Sequence, residues 1–150
     1  SLGSVQKYSK AVTDFTASEG TNTDHHLGSI NFAGELGTNI GGGKARMLGE
    51  YIHNWETDTA TDTAWALGAK YSWHKWSLKY IYADVESNSV PDFLPGSDRF
   101  DGLTGIRGHE FEIKYKIFEK VTFGMDYYHA KNILTNANQD VLQIDMNVEF

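Results

Sequence analysis

Hydrophobic and polar residues alternate along most of this chain, and the alternation is cleanest at its end. Between Val141 and Phe150, Leu142, Ile144, Met146, Val148 and Phe150 share one parity, while Gln143, Asp145, Asn147 and Glu149 share the other. A side-chain period of two is the pleat of a β-strand. Roughly 9–11 residues is also the length a tilted strand needs to cross a bilayer.

The same template recurs upstream. Phe111, Ile113, Tyr115 and Ile117 oppose Glu110, Glu112, Lys114 and Lys116, and after a turn at 118–120, Val121, Phe123, Met125 and Tyr127 oppose Thr122, Gly124, Asp126 and Tyr128. Trp65, Leu67, Ala69, Tyr71 and Trp73 oppose Ala66, Gly68, Lys70 and Ser72. Only His74 and Lys75 separate them from Trp76, Leu78, Tyr80 and Tyr82, which predicts a two-residue hairpin. Ile30, Phe32, Gly34 and Leu36 form an earlier strand, the glycines 41–43 a turn, and Ala45, Met47, Gly49, Tyr51 and Trp55 the next apolar face. Residues 1–26 carry the weakest pattern, a polar strand candidate over 5–17 followed by a polar loop.

Connections therefore alternate. The turns at 38–44, 74–75 and 118–120 are short, whereas 18–26, 56–62, 84–108 and 130–140 are longer. Short periplasmic turns and longer outer loops are the building plan of transmembrane β-barrels. The fold class expected is an all-β, antiparallel, up-and-down transmembrane barrel. About seven or eight strands lie in this chain, either as one closed barrel or as the C-terminal half of one with roughly 16 strands.

Which face points outward follows from bulk. The apolar faces hold all four Trp and six of the eight Tyr, too much for the interior of an eight-stranded barrel. A soluble, lipocalin-like ligand-binding barrel would need them inside. The opposite faces carry the candidate lumen-lining residues Glu35, Arg46, Glu50, Lys70, Lys79, Glu110, Glu112, Lys114, Lys116, Asp126, Asp145 and Glu149. Aromatics at the strand ends, Trp55, Trp65, Trp73, Trp76, Tyr82, Phe111, Tyr127 and Phe150, are the expected membrane girdles.

Composition adds limits. No run of the 150 residues approaches a membrane helix, and the mean hydropathy of -0.45 is what alternation produces in a window average. The net charge of -7 argues against nucleic acid as a partner, and the absence of Cys suits an oxidising periplasm. The chain opens on no secretory signal, so Ser1 reads as a processed terminus, a cloning remnant or the start of a fragment.

Candidate chemistry is sparse. His53, His109 and His129 fall near the outer rim with Asp84 and Asp126, but without metal-ligand spacing. Asp24, His25 and His26 form a short metal-capable tract that reads as a solvated loop. Asp98 and Asp101 among glycines do not match a calcium loop. Neither catalysis nor a cofactor or metal is expected. The long segment 84–108 is a candidate constriction loop through Asp92, Asp98, Arg99, Asp101 and Arg107.

The terminal strand, with alternate apolar residues and a final Phe150, resembles the C-terminal strand of bacterial outer-membrane barrels, although the early Gly usual there is missing. Residues 97–150, from Ser-Asp-Arg-Phe-Asp-Gly-Leu-Thr-Gly-Ile-Arg through Gly-His-Glu-Phe-Glu-Ile-Lys-Tyr-Lys to Val-Thr-Phe-Gly-Met-Asp-Tyr-Tyr, resemble the C-terminal hairpins of bacterial porins. Residues 27–96 resemble them more loosely. The resemblance implies an outer-membrane location, the barrel-assembly machinery as a partner through the strand ending at Phe150, a homotrimer, and passive diffusion of small hydrophilic solutes. Two alternatives stay open: a small closed barrel with a structural, adhesive or receptor-binding role, and the soluble barrel.

Overall fold

The computed structural model describes residues 5–12, 27–57, 59–90 and 104–149. Eight antiparallel strands form one sheet in strict sequence order: β1 (Val5–Val12), β2 (Leu27–Ile40), β3 (Gly43–Asn54), β4 (Thr63–Trp73), β5 (Trp76–Val85), β6 (Ile106–Phe118), β7 (Val121–Asn132) and β8 (Asn138–Val148). Each strand pairs only with its chain neighbours, so β1 and β8 are edges and the sheet is not closed into a barrel. Seven of the strands, β2 to β8, contribute side chains to one shared cavity.

The strands are longer than the alternation alone marks. β2 and β3 run to a two-residue turn at Gly41 and Gly42, both with positive φ (58° and 78°), where an L side chain would be strained. The turn expected over 38–44 therefore shrinks to its glycines. Likewise β7 and β8 extend into the loop expected at 130–140 and leave 133–137 as the connection. Polar residues there still complete ladder hydrogen bonds, so pairing continues after the apolar signal has ended. His74, at φ 50°, forms the β4–β5 turn as read from its spacing.

Register places the alternation on two distinct faces. Phe32 pairs with Tyr51 and Tyr51 with Trp65; Leu67 pairs with Tyr82; Phe111 pairs with Tyr127 and Tyr127 with Leu142. That face is open: Trp55 is 51% exposed, Trp76 46% and Ile144 63%. The other face is concave. Asn31 of β2 and Gln143 and Asp145 of β8 line the cavity together although five strands lie between theirs, which requires the sheet to curl strongly.

The packed core lies on the concave face at the loop end and is built of small residues. Ala66, Ala83, Gly108 and Ala130 succeed one another across β4 to β7. A side chain at Gly108 would meet the His129 carbonyl and Ala130 inside van der Waals contact. The space these residues leave is filled by the base of the β5–β6 connection, where Val90 packs in the cavity with Ala64, Ala83, Ile106 and Ala130.

Candidate functional site on the concave face

Eleven of the twelve charged residues expected on the lumen share one face by register, and Glu149 follows β8 just beyond its ladder. One transverse row runs Arg46, Lys70, Lys79, Glu112, Asp126, Gln143 from β3 to β8. Bases occupy β3 to β5 and acids β6 and β7, so the charge of the row changes sign between β5 and β6 before it ends on the neutral Gln143. Glu110, Lys114 and Asp145 lie one side-chain repeat above or below it, and Glu35 binds Arg46 at 3.1 Å. Lys116 and Glu149 sit towards the turn end, where the Glu149 amide donates to the Lys120 carbonyl.

Burial concentrates on the acid side of the row. Glu110 and Glu112 are each only 6% exposed and Asp126 8%. Carboxylates this buried need cations or donors, because desolvation penalises the charged form. Lys79 Nζ supplies both glutamates, 2.6 Å from Glu110 Oε1 and 3.2 Å from Glu112 Oε2, and Lys114 Nζ donates to Glu112 Oε2 at 2.6 Å. Glu50 accepts from Asn31 Nδ2 at 2.6 Å. Asp126, between Glu112 and Gln143, has no hydrogen bond or ion pair among the described residues.

Asn31, Glu50, Lys79, Glu110, Glu112 and Asp126 line a cavity of about 740 Å³ whose loop end is mainly apolar. Its loop-end wall is held by a buried polar latch. Asn54, fully buried, accepts from the Gly28 and Glu56 amides at 3.0 and 3.1 Å and donates from Nδ2 to the Asn88 carbonyl at 2.7 Å. Asn88 Nδ2 donates to Thr59 and Thr61 Oγ1, and Thr104 Oγ1 donates to the Ser87 carbonyl at 2.9 Å. Reasoning from the sequence misses Asn54 and Asn88, which look there like ordinary loop-edge amides. Their one available signal is an Asn on the inward parity at the end of β3.

The constriction candidates divide. Asp92, Asp98, Arg99 and Asp101 lie outside the described residues, as do Asp24, His25, His26 and Phe150. Arg107 belongs to β6, pairs in register with Asp84 on the parity of the exposed Phe111, and borders the cavity at its loop end. Alternation decides this, because Ile106 is turned inward and buried, which sends its neighbour outward.

The loop end of the convex face collects aromatic and imidazole rings. Trp65 packs on Tyr82 at 5.3 Å, His109 lies 6.3 Å from His129, and Phe111 lies 6.4 Å from Tyr127. Tyr80 Oη and His109 Nδ1 are 2.9 Å apart, while Asp140 Oδ1 accepts from Tyr127 Oη at 2.6 Å and contacts His129 Nδ1 at 2.7 Å. At the turn end, Trp73 pairs with Trp76, which packs on Tyr115 at 4.5 Å. His109 and His129 are thus committed to separate partners, His53 Nδ1 lies 3.7 Å from Asp62 Oδ2 without a hydrogen bond, and Asp126 faces away from all three. No group of three metal-capable side chains occurs among the described residues.

The chain matches no protein-family model, no curated protein and no solved structure.

Proposed function

We propose that this chain forms the wall of a bacterial outer-membrane β-barrel of porin type, with the convex face against lipid and the concave face lining a path for small hydrophilic solutes. The observation that carries this reading is the inverted burial: large apolar and aromatic side chains stand exposed on one face while Glu110, Glu112 and Asp126 are buried on the other. A soluble sheet with that distribution would expose far more contiguous apolar surface than water tolerates. In a bilayer the same surface is the stabilised one. Long unpaired edges also require pairing, which barrel closure provides. Transport is passive, and the terminal strand is the element offered to the assembly machinery.

Acids outnumber bases among the expected lumen residues, seven (Glu35, Glu50, Glu110, Glu112, Asp126, Asp145, Glu149) to five (Arg46, Lys70, Lys79, Lys114, Lys116). A mild cation preference follows. Reconstitution into planar bilayers under a salt gradient tests it: stepwise conductance with a cation-selective reversal potential is expected, and a clear anion preference would overturn the face assignment. One observation favours a second reading. Because residues of β2 and β8 share a cavity, the curl suits a narrow, small closed barrel serving structure or adhesion. That molecule would insert into bilayers yet conduct negligibly.

A further inference from the structure

We propose that the concave cavity is a binding site for a small organic cation, with an ammonium head at Asp126 and an apolar body lying over Tyr128 towards Ala130 and Ile106. This deepens the reading of the concave face as a solute path and rests on it.

An imbalance of partners points to the site. Three carboxylates are buried side by side on β6 and β7, and two of them are satisfied by Lys79 and Lys114. Asp126 is more than nine-tenths buried, lines the cavity, and receives no hydrogen bond or ion pair among the described residues. A buried carboxylate flanked by Glu112 in register adds like charge to desolvation, so a cation placed there relieves both. Further acids, Glu50 and Asp145, border the same space; of the bases on its wall, Lys79 is already held between Glu110 and Glu112, and Arg107 lies at the loop end, 3.9 Å from Asp84.

The remaining wall selects the kind of cation. One side-chain repeat along β7, roughly 7 Å, separates Asp126 from Tyr128, and a second repeat leads to Ala130. Tyr128 offers a ring that an alkylammonium can lie against, and the apolar side chains of Ala83, Ile106 and Ala130 continue the surface towards the loop end, which Arg107 borders. A volume of about 740 Å³ is in the ordinary range for small-molecule sites. A divalent metal is a poor fit, because Ca²⁺ takes about 6–8 oxygen ligands and the adjacent Glu110 and Glu112 are engaged by lysines. Sodium or potassium would gain nothing from the apolar wall.

The experiment is equilibrium binding of n-butylammonium to the full chain in detergent micelles by titration calorimetry, with n-butanol as the neutral counterpart. Saturable binding at least about tenfold tighter for the cation is expected, the factor that a charge-assisted hydrogen bond contributes. Asp126→Asn should weaken it by about tenfold or more. Glu119→Gln, which removes the same charge in the distant β6–β7 turn, should leave it unchanged. Equal binding of n-butanol, or an Asp126→Asn protein that binds as before, overturns the site. If that variant does not fold, the Tyr128 ring resonances of the unmodified protein decide: a saturable shift with n-butylammonium supports the site and no shift overturns it. Conductance separates the two readings. Binding without conductance keeps the site and discards the channel, whereas a conducting protein that does not bind keeps the channel and discards the site.

Discussion

The two faces of this sheet obey opposite rules with the same backbone between them. On the convex face, neighbours in register are rings and branched chains that meet nothing beyond each other, as in the step from Phe111 to Tyr127 to Leu142. On the concave face, the step beside it runs from Glu112 to Asp126 to Gln143, and two of those three are buried. A soluble sheet hides its apolar side and wets its polar side. Here burial follows curvature and not polarity. The contrast also locates the specificity: the convex face needs only apolar bulk, whereas each concave charge needs a partner.

The largest effect is expected where a concave charge loses its partner. Lys79→Met keeps the stem and deletes the ammonium, leaving Glu110 and Glu112 buried without their shared base. A loss of about 3–5 kcal/mol is expected in denaturant unfolding from vesicles, and a loss near zero would mean that these carboxylates are well hydrated. Somewhat smaller is the effect of charging the convex face. Leu67→Arg, in the middle of an exposed row, should cost about 2–4 kcal/mol in the same assay. The inward face offers the control, since Thr122→Lys beside Lys116 should change stability by less than about 1 kcal/mol. Equal costs at the two positions would remove the distinction between the faces.

The smallest expected effect is local, at the loop end of the concave face. Asn54→Ala strands the Gly28 and Glu56 amides and the Asn88 carbonyl. A cost of about 1–3 kcal/mol follows from leaving buried groups unpaired. It should appear as faster proteolysis within the connection after β5 and faster amide exchange at Asn88, with β6 to β8 unaffected. Unchanged exchange at Asn88 would mean that the latch is not what holds this segment in place.

Much of this architecture is legible in residue order because a strand's two faces are written into alternate positions. Strand order, hairpin parity and the separation of Glu110, Glu112 and Lys114 from Phe111 and Ile113 follow from a period of two, and the His74–Lys75 turn from the gap between two such runs. Strand ends are less legible. Asn132 and Asn138 read as loop, yet Asn132 pairs with Ile106 of β6 and Asn138 with Lys131 of β7, because a backbone hydrogen bond does not depend on the side chain's polarity. Arg107 reads as part of a charged loop for the same reason. The apolar pattern begins at Phe111, but pairing with β5 begins at Ile106.

Which residues share a face is set by residue order alone, since alternation leaves a strand only two sides. That one side is aromatic and the other charged is set in the same way. How those faces curve, and which charges meet, is settled by the folded sheet. Lys79 reaches Glu110 and Glu112 because β5 and β6 are in one particular register, and a shift by one residue would have turned those partners to the other face. The inward fold of Asn88 and Val90 over Ala83 and Ala130 is likewise beyond periodicity, because a connecting segment has none. Asp126 illustrates the division. Its parity is written in the chain, while its burial without a partner exists only once six other strands have set the curl and the lysines have gone to its neighbours.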